Sequence, residues 1–227
     1  MNILFVHNRY QHLGGEDGVL AAEMELMASR GHNVKLAEKD NASIDSLPAR
    51  IKSAVNVAYC AESRLWMTQE IKRFRPDIVH VHNFFPLLSP SIYDACADSN
   101  TPLVQTLHNF RTLCAGGLLL RDGAICEDCL HGSTIQAVVP RCYRGSVLGS
   151  MAVARMISLH RKKETWGRKT NRIIALTEFA KNKFVEAGMP AEKIFVKPNF
   201  VVDSHEDARG PSPPRRGALF VGRLSEE

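Results

Sequence analysis

Residues 77–83 read DIVHVHN and residues 101–109 read TPLVQTLHN. Each is a short aliphatic run that breaks into histidine and asparagine at its carboxyl end. Apolar runs of this length, bounded by turn formers, fit buried strands better than helices. The same form recurs at residues 2–7 (NILFVH), 33–36, 172–176 and 193–196. Between these runs the spacing turns helical. In residues 19–30, Leu20, Met24 and Met27 recur as one face of a helix, with Val19, Ala22 and Leu26 beside them, and Gly31 stands at its end. Further helices are expected near residues 44–55, 62–74, 89–99, 146–168 and 178–187. Strands alternating with helices predict an α/β fold, a parallel sheet covered on both faces. Such sheets bind ligands beyond the carboxyl ends of their strands. Here those ends carry His7, His82, Asn83, His108, Asn109, Thr177, Glu178 and Asn199.

The composition narrows the class. With 44% hydrophobic and 23% charged residues in 227, the chain can build a core, which excludes disorder, collagen and coiled coil. A net charge of +5 is compatible with phosphate-bearing partners but too small to indicate nucleic acid. No apolar run approaches the roughly 20 residues of a membrane span, and no basic, apolar leader precedes the first strand. The expected compartment is the cytosol. Residues 205–216 (HEDARGPSPPRR) have linker composition, and residues 218–221 (ALFV) begin a fresh strand. The domains expected are therefore 1–204, a linker at 205–217, and at 218–227 the first strand of a second domain belonging to a longer protein.

The loop after the first strand holds Gly14, Gly15 and Gly18, which match neither G-x-G-x-x-G nor a P-loop. Adjacent glycines still let backbone amides approach a phosphate at a helix N-terminus. A tight strand-to-helix turn explains them equally well.

In order along the chain, Gly14–Gly15, DIVHVHN at 77–83, TLHN at 106–109, ALTEFA at 175–180, PNFVVD at 198–203 and FVGRL at 220–224 resemble the N-terminal domain of GT-B glycosyltransferases of family 4. The resemblance implies two facing Rossmann-like domains, the first binding acceptor and the second a nucleotide-sugar donor. It implies a retaining hexosyl transfer to a glycan or polyprenyl-linked acceptor, serving polysaccharide biosynthesis. Carried over residue by residue, Gly14 and Gly15 would contact donor phosphate or sugar. His108 would lie beside the transferred sugar, and Arg223 would clamp the diphosphate through its fork of donors. His82, Asn83, Asn109 and Glu178 are acceptor-side candidates, while Asn199 and Asp203 resemble a structural turn. Catalysis would need no cofactor. The partner lysine and acidic donor motif of the family would follow Glu227, so the 227-residue chain is expected to be inactive alone.

Within an insert at 113–145 lie Cys114, Cys126, Cys129 and Cys142, spaced C-x11-C-x2-C-x12-C. One chelating C-x2-C pair plus two flanking thiolates would make a closed, structural zinc site. Four reduced thiols, or two disulfides formed on oxidation, are the alternatives. Cys60 and Cys96 are expected in the core. Finally, Arg155, Arg161, Lys162, Lys163, Arg168, Lys169 and Arg172 surround Trp166. A cationic helix with an interfacial aromatic would suit an anionic membrane surface, with peripheral attachment at the inner leaflet. A solvated helix face explains the same residues. No aromatic stacking platform supports nucleic acid. The competing function is a zinc-stabilised glycan- or lipid-binding module without catalysis.

Overall fold

The computed structural model describes residues 1–10, 14–201 and 217–218. Arg223, Asp203, the body of the expected linker and all but residue 218 of the strand expected at 218–227 lie outside the described residues. In chain order the elements are β1 (Asn2–Arg9), α1 (Gly15–Ser29), β2 (Asn33–Asp40), α2 (Leu47–Asn56), α3 (Ala61–Phe74), β3 (Ile78–Val81), α4 (Ser91–Asp98) and β4 (Leu103–Leu107). The insert follows, with β5 (Leu120–Arg121), β6 (Ala124–Ile125) and α5 (Asp128–His131). The chain then returns through α6 (Val147–Lys162), α7 (Thr165–Lys169), β7 (Arg172–Ala175), α8 (Glu178–Glu186) and β8 (Ile194–Val196).

Six strands form one sheet in the order β2-β1-β3-β4-β7-β8, and every pair is parallel. This is the Rossmann-like arrangement expected from the alternating pattern. The central strands are buried on both faces, which is why they read as continuous apolar runs. Leu4, Val6, Val79 and Val81 pack on one face with Met67, Ile92, Met156 and Ile157 from the helices. Ile3 and Phe5 pack on the other face with Leu20, Met24 and Met27 of α1. Gly31 at φ +80° ends α1 as its position suggested.

One helix differs from expectation. Residues 146–168 do not form a single rod, because α6 stops at Lys162 and Glu164 turns left-handed at φ +51° before α7 resumes. The break is held by side chains from both sides. His160 bonds Thr165 Oγ1 at 2.8 Å and the Ala58 carbonyl at 2.6 Å, and Arg161 donates to the carbonyls of Cys129 and Gly132. Turning there drives Trp166 into the core, where it is 4% exposed. Among the described residues no helix is long and apolar enough to cross a membrane.

Candidate functional site

A strand alternates its side chains between faces, and neighbouring parallel strands keep partnered residues on the same face. The register pairs Phe5 with His80, His80 with Val104, and Thr106 with Ile174. Counting by twos toward the carboxyl ends therefore puts His7, His82 and His108 on the α1 face. His80, one step deeper on that face, bonds Thr106 Oγ1 at 2.8 Å. Beyond it, His82 Nδ1 and His108 Nε2 lie 3.0 Å apart, with their rings stacked at 5.2 Å. His82 is buried and His108 half-buried, so the pair runs from the interior to the rim.

At that rim a hollow is lined by Tyr10, Glu16, His82, Asn83, His108, Asn109 and Arg111, among others. Burial sets its electrostatics. It lowers the pKa of His108 to about 3 and that of His80 to about 3, with the neighbouring imidazole of His82 acting in the same direction. Burial also raises Tyr10 to about 12 and, with the adjacent Asp17, raises Glu16 to about 8. At neutral pH the rim thus offers a neutral imidazole, a phenol and a protonated carboxyl, all suited to exchanging hydrogen bonds with hydroxyl groups. Arg111 lies over the Phe85 and Tyr143 rings, 5.0 and 5.2 Å from their centroids, and donates to the Ala115 carbonyl.

Glu16 makes a checkable prediction. Its pKa rises from 4.5 unfolded to about 8 folded, so between those values the folded state holds a proton that the unfolded state has released. Stability is then fully present below pH 4.5, falls as pH rises toward 8, and levels off above it. The slope is at most about 1.4 kcal/mol per pH unit. Urea unfolding of Glu16→Gln is expected to show a variant more stable than wild type at pH 8, with the difference lost near pH 4.

The sequence candidates fare unequally. His82, Asn83, His108 and Asn109 come together around the hollow. Both ends of the Asn83 amide are already engaged, donating to the Asn8 carbonyl at 2.7 Å and accepting from the Phe85 amide at 2.9 Å, so it ties the β1 and β3 tips together. Asn109 Oδ1 likewise accepts from the Arg111 amide at 2.9 Å. Glu178 stands exposed in the first turn of α8, outside the hollow. Gly14 caps α1 in extended conformation, its amide donating to Asp17 Oδ2 at 2.8 Å. A Cβ added at Gly15 would meet nothing within 4 Å. Among the described residues, neither glycine is required by its backbone angles or close neighbours.

Sequence reasoning missed Tyr10, Glu16, Glu23, Arg111 and Lys197. A signal existed for Glu23: it falls four residues after Val19 on the apolar stripe of α1, where a carboxylate needs a partner to be buried. It is 3% exposed and takes a hydrogen bond from Lys197 Nζ at 2.6 Å.

All six cysteines are free thiols, and Cys60 and Cys96 are buried as expected. Cys114, Cys126, Cys129 and Cys142 lie near enough to influence one another electrostatically. They are not gathered at metal-ligand spacing, however; the described groups whose ligand atoms converge within 4.8 Å are Glu23–His80–His82 and Glu127–His131–Glu186. The basic segment is also less free than its composition suggested. Arg168 pairs with Glu164, Lys169 with Asp94, and Trp166 is no interfacial aromatic. A separate cavity of ≈ 350 Å³, bordered by Trp166, Arg168, Met189 and Lys193, contains none of the predicted site residues.

Residues 19–205 match the family model described as Glycosyltransferase Family 4. The chain belongs to that family. Solved structures to which this family 4 domain is similar include UDP-GlcNAc 2-epimerase from Methanocaldococcus jannaschii, at 12% identity and TM-score 0.46, covering 86% of this chain and 45% of that one. Another is Anabaena HepE in complex with UDP, at 17% identity and TM-score 0.43, covering 88% and 44%. A third is the lipopolysaccharide outer core galactosyltransferase WaaB in apo form, at 14% identity and TM-score 0.41, covering 86% and 45%. The family 4 domain therefore spans less than half the length of these proteins. No curated protein matches it.

Proposed function

We propose that this family 4 domain is the acceptor side of a retaining glycosyltransferase that moves a sugar from a nucleotide-sugar donor to a glycan or lipid-linked acceptor in polysaccharide assembly. The observation that carries the reading is the hollow at the strand tips, where neutral His108 meets Tyr10 and protonated Glu16. A polyhydroxylated, uncharged ligand is matched by the neutral donors and acceptors of His108, Tyr10 and Glu16, which stand beside the Arg111 guanidinium. His108 would contact the sugar at the transfer point, and the open backbone at Gly14 and Gly15 would leave room for donor phosphate. Arg223 would complete the diphosphate contacts. The exposed stripe of Leu47, Ile51 and Val55, one turn apart on α2, supports delivery of the acceptor at an anionic lipid surface, with peripheral attachment.

Transfer of label from UDP-, GDP- and dTDP-sugars to extracted lipid acceptors tests this. The 227-residue chain alone is expected to give no product, and the chain joined to a donor-binding domain is expected to give it. Turnover by the chain alone overturns the proposal. Acceptor binding with no transfer in either form would instead identify a binding module.

The four insert thiols are proposed to hold a structural zinc ion. The regular structure of the insert is two two-residue strands, a four-residue helix and a 3-10 turn at Thr134–Ala137, so a metal would add folding energy to a segment with little secondary structure of its own. Cys126 and Cys129 would chelate, and Cys114 and Cys142 would close the site. Elemental analysis of protein purified without added metal is expected to find about one zinc per chain. Less than about a tenth of an equivalent ends this idea.

A further inference from the structure

Behind His108 lies a continuous polar path through the α1 face of the sheet. Lys197 Nζ donates to Glu23 Oε1 at 2.6 Å, and Glu23 Oε2 lies 3.5 Å from His82 Nε2. His82 Nδ1 is 3.0 Å from His108 Nε2. The side chains of Glu23 and His82 are 4% and 0% exposed, and among the described residues the buried His82 Nε2 has no hydrogen-bond partner, Glu23 Oε2 being the acceptor it faces. A carboxylate only accepts, so it can satisfy the imidazole nitrogen facing it only when that nitrogen carries the proton. A neutral imidazole has one protonated nitrogen, which makes the other an acceptor. The arrangement therefore propagates a single tautomer from one ring to the next.

We infer that Glu23 and His82 are positioning residues for His108: the carboxylate, anchored by Lys197, holds His82 as its Nε2–H tautomer, and His82 Nδ1 holds His108 as its Nε2–H tautomer. The Nδ1 lone pair of His108 is thereby committed to accepting a hydrogen bond from a ligand hydroxyl at the rim. Only that last step rests on the sugar-transfer reading. Glu23 Oε2, His80 Nδ1 and His82 Nε2 also stand at metal-ligand spacing, with contacts of 3.7 and 3.5 Å. Lys197 already neutralises the one carboxylate there, so a divalent ion would add buried charge without compensation, and the relay is the better reading.

Two-bond ¹H–¹⁵N correlation spectra of the ¹⁵N-labelled full chain at pH 7 test it. Wild type is expected to show both His82 and His108 protonated at Nε2 alone. Glu23→Gln and His82→Phe are each expected to turn His108 into a tautomer mixture while the amide spectrum stays folded. A wild-type His108 protonated at Nδ1 overturns the inference, as does an unchanged His108 in both folded variants. A stoichiometric divalent metal that Glu23→Gln removes also overturns it. Should the variants fail to fold, the wild-type spectrum alone decides. None of these readouts needs sugar transfer, so the relay and the proposed activity fail separately.

Discussion

Replacing His108 with alanine is expected to lower kcat for sugar transfer by about 100- to 10,000-fold while changing KM for the donor far less. The size follows from position. His108 is the one half-buried imidazole in the chain of histidines, at the tip of β4 and on the hollow. Its partner His82 lies deeper, with no exposed side-chain surface. Burial holds the His108 pKa near 3, so around pH 7 it works as a neutral ring with a lone pair rather than as a cation. The sign of the pH effect follows. As pH falls from 7 to 5, His108 stays neutral, so an acid limb in kcat over that range must come from another group. Steady-state kinetics of wild type and His108→Ala across pH 5 to 8, on the chain joined to its donor-binding domain, check both points. A variant retaining more than about a third of wild-type kcat would remove His108 from the chemistry.

Trp166→Ala is expected to cost about 3–5 kcal/mol, as for other large-to-small changes at fully buried aromatic sites. Set against the 5–15 kcal/mol, roughly, that holds a typical domain together, this is a large fraction. The indole is packed edge-on to His160 at 5.5 Å and lies 6.5 Å from Phe84. Removing it empties the seam where α6 breaks and α7 begins. Thermal denaturation is expected to show a loss of roughly 10 °C. Vesicle flotation should be unchanged, because the ring does not reach the surface. A Tm within about 3 °C of wild type, with binding to anionic vesicles lost, would restore the interfacial reading of the basic segment.

These two residues mark what a linear reading recovers. His108 was found because it ends an apolar run, and the ends of parallel strands share one side of the sheet wherever they fall in the chain. Trp166 was misread because its neighbours in sequence are basic. Helical spacing continues through Glu164, and nothing local signals a left-handed residue there; the break depends on His160 reaching Ala58, 102 residues away. Glu16 was passed over for a different reason. In sequence it is an ordinary acid in the first turn of a helix, and only its enclosure in the folded domain makes it a proton carrier near neutral pH.

The cysteines fall between these cases. Their spacing includes one C-x2-C pair, and the fold brings all four into one neighbourhood, but no three of the thiols converge within 4.8 Å of one another.

The sequence by itself determined the parallel α/β sheet, the order of its elements and the identity of the residues at its strand tips. It could do so because strand burial and helix amphipathicity are written in periods of two and 3.6 residues. Only the tertiary structure decided that Glu23 pairs with Lys197, 174 residues on, and that this buried ion pair stands behind two histidines. Charge–charge and hydrogen-bond partners are chosen by distance in space. That distance is set when the sheet closes against α1, and no local period records it.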